Sequence, residues 1–201
     1  MEAIKTKQSA EVRQAEIVRV VLDLAAERCP GDITTVDIAK AIGLTQGAVF
    51  RHYPTKDSIW LAVMSWVEDA MLGAIGAAAA SAGDPIARLE AVFRAHIRFV
   101  AANPGVPRVI FHELQRPDGS QVKGCVHRIL QAYRKTVSTL MQEARSEGLA
   151  AQDIDVECAT ALFIGAVQGL VMQATASGSP KALTKVSEGV LKVLLAGIRR
   201  R

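Results

Sequence analysis

The stretch Thr35–Pro54 sets polar and basic side chains at helical spacing beside apolar ones, a pattern suited to a surface that meets a polyanion. Counted with Thr35 first, Ala39 is fifth, Gly43 ninth and Val49 fifteenth, the spacing of two short helices crossing at a steep angle. Ala39 is small enough for the helices to approach closely. Gly43 can take the positive φ of a sharp turn, where a Cβ is penalised. Val49 and Tyr53 lie one turn apart and would be buried against Ile38, Ile42 and Leu44. That leaves Gln46, Gly47, Phe50 and Arg51 on the outer face, free to enter a major groove. An ordinary αα-corner has the same turn chemistry, so spacing alone leaves both readings open.

The other chemically suggestive residues are sparser. His96, His112 and His127 lack an HxxxH or HExxH spacing and fall on different predicted helices, so no metal is expected. No GxSxG elbow or glycine-rich phosphate loop is present, and neither catalysis nor a cofactor is expected. Phe93, His96, Phe99, Phe111, His112 and Tyr133 fall on three helices that could enclose a mostly apolar cavity with a few polar groups. Trp60 and Met64 share a face of the preceding helix turned toward them, and Trp66 falls off that face. The same residues could simply pack a core. Ala159–Met172 is apolar on nearly all sides, with small residues at Ala161, Gly165 and Gly169. A helix apolar all round must be covered on both faces. One face is assigned to the core and the other to a second copy of the chain, with Phe163, Gly165, Gly169 and Met172 at the contact; a central core helix is the alternative.

The elements that must position these residues are marked by helix punctuation. Ala10–Arg28 carries Ile17, Val21, Leu24 and Arg28 on one stripe and ends before Pro30-Gly31. Thr34 with Asp37 reads as a capping box, and Thr45 and Thr55 as N-caps. Asp84-Pro85, Asn103-Pro104 and Ser179-Pro180 read as cap-plus-proline starts. Pro117–Ser120 is a turn before a long helix with Val122, Val126, Ile129, Tyr133, Val137, Leu140 and Ala144 on one face, ending near Gly148. Two further helices cover about 153–176 and 180–199. The expected fold is all-α, with nine helices and no strand.

The composition agrees: of 201 residues half are apolar and only 4% aromatic, which favours helices packed through Ala, Leu, Val and Ile. No run of about 18 uninterrupted apolar residues is present, and Met1–Lys7 does not read as a signal peptide. Cys29, Cys125 and Cys158 are odd in number and far apart, which fits a reducing cytoplasm and no disulfide framework. The net charge of +4 is weak support for a polyanionic partner, because residues 1–56 hold eight Lys/Arg against seven acids. Much of the excess is Arg199-Arg200-Arg201.

Arg13–Val63 resembles the N-terminal DNA-binding domain of the TetR/AcrR transcriptional regulators. The match is carried by Thr35–Ala39, Ile42–Gly47 and Phe50–Lys56, and the nine-helix layout and length agree. The resemblance implies a three-helix DNA-binding domain over 1–54 and a larger ligand-binding and dimerisation domain over 55–201. It implies a cytoplasmic homodimer on a pseudo-palindromic operator, usually a repressor released by a small molecule. Carried over by position, Thr35 and Thr45 would hold phosphates at helix N-termini, and Gln46 and Gly47 would lie against base edges. Phe50, Arg51 and His52 would flank the groove, and Lys56 would add a phosphate contact. The family commonly has Tyr where this chain has Phe50, so one phosphate-bonding hydroxyl is missing. The expected ligand is largely apolar, because Glu113 is the only acid near the proposed lining, and no membrane partner is expected. Pro54 leaves no flexible linker between the recognition helix and the next, so that next helix is expected to transmit ligand binding. A helical architectural or partner-binding protein without ligand response is the alternative.

Overall fold

The computed structural model describes residues 9–116, 119–177 and 180–199. The N-terminal elements are α1 (Ala10–Glu27), a 3-10 turn (Pro30–Asp32), α2 (Thr35–Ala41) and α3 (Gln46–His52). They are followed by α4 (Lys56–Ala79), α5 (Pro85–Ala102), α6 (Gly105–Leu114), α7 (Gln121–Ser146), α8 (Val156–Ser177) and α9 (Pro180–Ile198). The described residues thus hold nine α-helices and no strand; one isolated antiparallel bridge, Ala150 with Arg199, closes the loop after α7 onto the end of α9. Pro117, Asp118, Ser179, Met1–Lys7, Arg200 and Arg201, on which some expectations fell, lie outside the described residues.

Most helices begin where a side chain satisfies the free N–H groups of the first turn. Ser9, Thr34, Thr45, Thr55, Asp84 and Ser120 each accept a bond from a backbone N–H of the first turn, and Thr34 with Asp37 forms the full capping box. Asn103 departs from expectation. It ends α5, its side-chain amide donates back to the Phe99 carbonyl at 2.8 Å, and Pro104 stands at the N-cap of α6 with no side-chain bond. An amide next to a helix C-terminus finds unpaired carbonyls there, and that capping won over the one ahead of it. Gly43 and Gly148, at φ 66° and 72°, end α2 and α7 in the same way. Leu44 N donates to Ala39 O at 2.8 Å and Gly43 N to Lys40 O at 3.2 Å, the paired bonds of a left-handed C-cap.

The core is built around α1 below and α4, α5 and α7 above. The buried arc of α1 is Ile17, Val18, Val21, Leu22 and Ala25; Leu24 is only half-buried and Arg28 lies exposed beyond the helix end, unlike the expected stripe. The arc is wider and rotated because α1 is contacted on several sides, by α2 and α3, by α4 and by α6. The expected face of α7, from Val122 to Ala144, is buried throughout. By length and composition alone α4 and α8 are apolar enough to cross a membrane. Helix α4, however, buries Ile59, Trp60, Val63, Met64, Val67, Met71 and Ile75 within the chain, which accounts for its composition. Helix α8 buries only one side, and that asymmetry bears on its partner.

Candidate DNA-contacting surface and ligand cavity

Helices α2 and α3 pack through Ile38, Ala39 and Val49, with Ile42, Leu44 and Tyr53 half-buried around them. Gln14 on α1 fixes the end of α3: its side-chain amide donates to the His52 carbonyl at 3.3 Å, and its own carbonyl accepts the Tyr53 hydroxyl at 3.4 Å. The opposite face of α3 is open, with Gln46, Gly47, Phe50 and Arg51 exposed and His52 partly so. A Cβ added at Gly47 would meet nothing within 4 Å, so the absence of a side chain there serves no packing inside the chain. Phe50, 37% exposed, is an apolar side chain in a polar surface.

Two expected phosphate contacts are already engaged. Thr35 is 8% exposed and its hydroxyl accepts the Gln46 side-chain amide at 2.7 Å, so its side chain faces α3 rather than solvent. The reason lies in the crossing of the two helices, which brings the start of α3 over the start of α2. The bond to Thr35 uses one N–H of the Gln46 amide and leaves its second N–H and its carbonyl oxygen for a base. Lys56 donates to the Gly31 carbonyl at 3.4 Å, while Thr45 is exposed and caps α3 through Ala48 N. Asp37 pairs with Arg28 at 3.2 Å, and its bonds with Thr34 hold its carboxyl below the usual range.

In the larger helical region a cavity of about 60 Å³ lies between α5, α6 and α7, reached also by Met71 of α4 and Val171 of α8. Of the eight side chains expected around a cavity, His96 and Phe111 line it. The others are placed differently. Trp60 and Met64 are packed in the core, and Phe93 meets Phe163 edge-on with ring centres 5.7 Å apart. Phe99 stacks on Trp66 at 6.3 Å, and Tyr133 meets the His96 ring edge-on at 5.0 Å. His112 lies against Gly31 in the 3-10 turn, where an added Cβ would stand 3.2 Å from its Cε1. Periodicity gives the face of a helix but not the height along it at which a cavity opens, so Met71, two turns beyond Met64, had no signal in the sequence. Glu113 is buried and pairs with Arg116 at 3.2 Å.

His96 Nδ1 and the Tyr133 hydroxyl are buried without hydrogen-bond partners. An unsatisfied buried polar group costs about 1–3 kcal/mol. Burial drives the His96 pKa down from 6.5 to about 4 and pushes the Tyr133 phenol up, so both are neutral near pH 7.

Helix α6 joins the two regions. Val106, Ile110 and Phe111 line the cavity, while the helix start is wedged against α1: a Cβ at Gly105 would fall 2.0 Å from the Leu22 carbonyl oxygen. Arg19 on α1 also donates to the Asn103 side chain at 3.3 Å. The connection expected through α4 alone therefore has a second limb.

The far side of α8 and α9 is apolar and uncovered, with Leu162, Met172, Val186 and Val193 between 50% and 76% exposed. Gly165 and Gly169 have open space where a Cβ would stand. Phe163, expected at this face, is fully buried against Phe93 and belongs to the chain's own core. It lies one position, about 100°, from Leu162, enough to turn it inward. Among the described residues no cluster of three metal-ligating side chains occurs.

Known proteins share this fold. Residues 17–63 match the model of the bacterial regulatory proteins of the tetR family, and residues 82–198 match that of the tetracyclin repressor-like C-terminal domain. The nucleoid occlusion factor SlmA of Colwellia psychrerythraea is 22% identical over 161 residues, covering 80% of this chain and 81% of that protein. The ketosteroid transcriptional regulator KstR2 of Mycobacterium tuberculosis superposes with a TM-score of 0.79 at 19% identity, over 99% of both chains. The regulator FadR of Bacillus subtilis, solved with stearoyl-CoA, gives 0.76 at 18% identity over 92% of this chain and 99% of that one. With both domain models matched in order along one chain of this fold, the protein belongs to the TetR family of DNA-binding transcriptional regulators.

Proposed function

We propose that the protein is a cytoplasmic homodimeric repressor, without enzymatic activity, that a small molecule releases from a pseudo-palindromic operator. On this reading residues 1–54 bind DNA and residues 55–201 bind ligand and dimerise. The exposed face of α3 supports the DNA assignment. Gln46 can pair bidentately with adenine, Gly47 lets backbone approach the bases, and Arg51, His52, Thr45 and Lys56 supply phosphate contacts. The uncovered face of α8 and α9, with Gly165, Gly169 and Met172, supports pairing with a second copy, since so much exposed apolar surface marks an interaction site.

The observation that carries ligand release is the double engagement of α6, which walls the cavity at Phe111 and is jammed against α1 at Gly105. A cavity of about 60 Å³ has no spare room, so a ligand larger than a few water molecules must move that wall. Displacement of α6 passes to α1, and through α4 to the recognition helix. Half-sites in successive major grooves require recognition helices about 34–36 Å apart, so a shift of a few ångströms spoils one of them. Linkage requires operator to weaken ligand by the factor by which ligand weakens operator.

Selection of binding sites from random duplex DNA tests the DNA reading. Gln46→Ala is expected to cost about 1–3 kcal/mol on the selected site and relax preference at one base position, while Arg51→Ala weakens all sequences alike. An unchanged motif and affinity in Gln46→Ala refutes the assigned face. The tightness of the cavity and the similarity to nucleoid occlusion factors favour one second reading, a DNA-binding protein that acts without a small ligand. Operator affinity unaffected by any saturating cavity ligand would select it.

A further inference from the structure

The bond between Gln46 and Thr35 ties the start of the recognition helix to the start of α2. Gln46 Nε2 donates to the Thr35 hydroxyl oxygen at 2.7 Å. The two partners differ in freedom. Thr35 is 8% exposed and branched at Cβ, so a single torsion on its backbone sets the hydroxyl. Gln46 is exposed, and several torsions separate its amide from the chain. The backbone between them is held in place. Gly43 turns the chain at φ 66°, Leu44 N donates to Ala39 O at 2.8 Å, and Gln14 holds the far end of α3 through the His52 carbonyl. Asp37, the acid nearest to Thr35 in sequence, is taken up by Thr34 and Arg28. A hydroxyl placed by the backbone thus anchors one N–H of an otherwise mobile amide.

That anchor limits what the amide can offer a base. A free glutamine can turn its amino end alone toward guanine, whose major-groove edge presents the two acceptors O6 and N7. With one N–H held by Thr35, one N–H and the carbonyl oxygen are left. That donor and acceptor match the N7 acceptor and the N6 amino donor of adenine. Against guanine the carbonyl oxygen would face a second acceptor.

We propose that Thr35 is a positioning residue for base readout, which holds Gln46 through one N–H as a reader of adenine and sets it against guanine. This rests on the reading of α3 as the recognition helix and adds the residue that decides what Gln46 reads. Thr35 then acts through Gln46 and not through a phosphate, and the specificity it adds lies in what the wrong base is denied.

The test uses the full-length protein and the DNA site that it selects. Gln46→Ala identifies the base pair that Gln46 reads, and duplexes with each of the four bases at that position are titrated by fluorescence anisotropy at several salt concentrations. The native protein is expected to prefer adenine over guanine by at least about fivefold. Thr35→Val keeps the branch and removes the hydroxyl, and should narrow that ratio about three- to tenfold with the salt slope unchanged. Thr35→Ser should restore the ratio. With Gln46→Ala already present, Thr35→Val should change the ratio no further, since it acts only through Gln46. Equal weakening on all four duplexes with a shallower salt slope would make Thr35 a phosphate ligand and overturn the proposal. A native ratio in Thr35→Val overturns it too, as does a native preference for any base but adenine; the recognition face survives each of these. A native motif and affinity in Gln46→Ala refutes that face, and the positioning role falls with it. Nuclear magnetic resonance of the native protein without DNA needs no variant to fold. The Gln46 side-chain nitrogen should be more rigid on the picosecond-to-nanosecond scale than that of the exposed Gln142, and equal mobility of the two overturns the proposal.

Discussion

Gly105→Ala probes the junction between the two halves of the chain with the smallest perturbation available. The added methyl would lie 2.0 Å from the Leu22 carbonyl oxygen, 3.0 Å from its carbonyl carbon and 3.1 Å from Ala26 N. Carbon and carbonyl oxygen ordinarily meet at about 3.3 Å, so α6 must retreat from α1 by about 1.3 Å. All three obstacles are backbone atoms within a helix, so no rotamer change relieves the clash. Overpacking of this kind costs about 1–3 kcal/mol, with the upper half expected here, and Ala returns less than about 1 kcal/mol in helix propensity at a first-turn position. The net cost is then about 1–3 kcal/mol, and for a chain of this length each kcal/mol lowers the melting temperature by about 2–4 °C, so a fall of about 2–12 °C is expected. The retreat also moves α1 relative to the ligand-binding half, and operator affinity should drop with it. Thermal unfolding by circular dichroism and operator titration by fluorescence anisotropy read the two effects. Gly73→Ala and Gly76→Ala, exposed on α4 where a Cβ meets nothing in the chain, serve as controls for helix propensity. Native stability together with native operator affinity in Gly105→Ala would show that α6 is not held against α1 as described.

At Gly43 the space is open but φ is 66°, so Gly43→Val should cost about 1–2 kcal/mol of backbone strain and weaken operator binding while leaving the dimer intact; equal operator affinity would refute the turn's role. Leu162→Glu with Val193→Glu, at 62% and 76% exposure, should shift the protein to monomer in sedimentation velocity while helix content stays unchanged, and a persistent dimer would place the interface elsewhere. His96 makes stability pH-dependent: its folded pKa, lowered from 6.5 to about 4, means the unfolded chain takes up the proton first as pH falls. Its contribution is therefore complete above pH 6.5 and is lost progressively toward pH 4, about 3 kcal/mol in all. Urea unfolding between pH 7.5 and 4.5 should show that slope in the native protein and a shallower one in His96→Phe, and parallel slopes would contradict the burial of the imidazole.

Local chemistry was legible in the sequence because it acts over a few residues. Thr34 and Asp37 specify a helix start, Gly43 a left-handed turn, and Ala39 and Val49 a close crossing, whatever the rest of the chain does. The nine helices and the inward face of α7 follow from the same short-range rules. Asn103 marks where those rules compete, since one amide stood next to two helix ends and bonded backward. What tertiary structure decided depends on the height and rotation at which helices meet. Thr35 turned inward because α3 crosses over it, and Met71 rather than Met64 reached the cavity because the gap between α5, α6 and α7 opens two turns further along α4. Phe163 and Leu162 are neighbours in sequence, yet one fills the core and the other lies bare. The contact of Gly105 with the Leu22 carbonyl joins residues far apart in sequence through backbone alone, and no side-chain pattern encodes it.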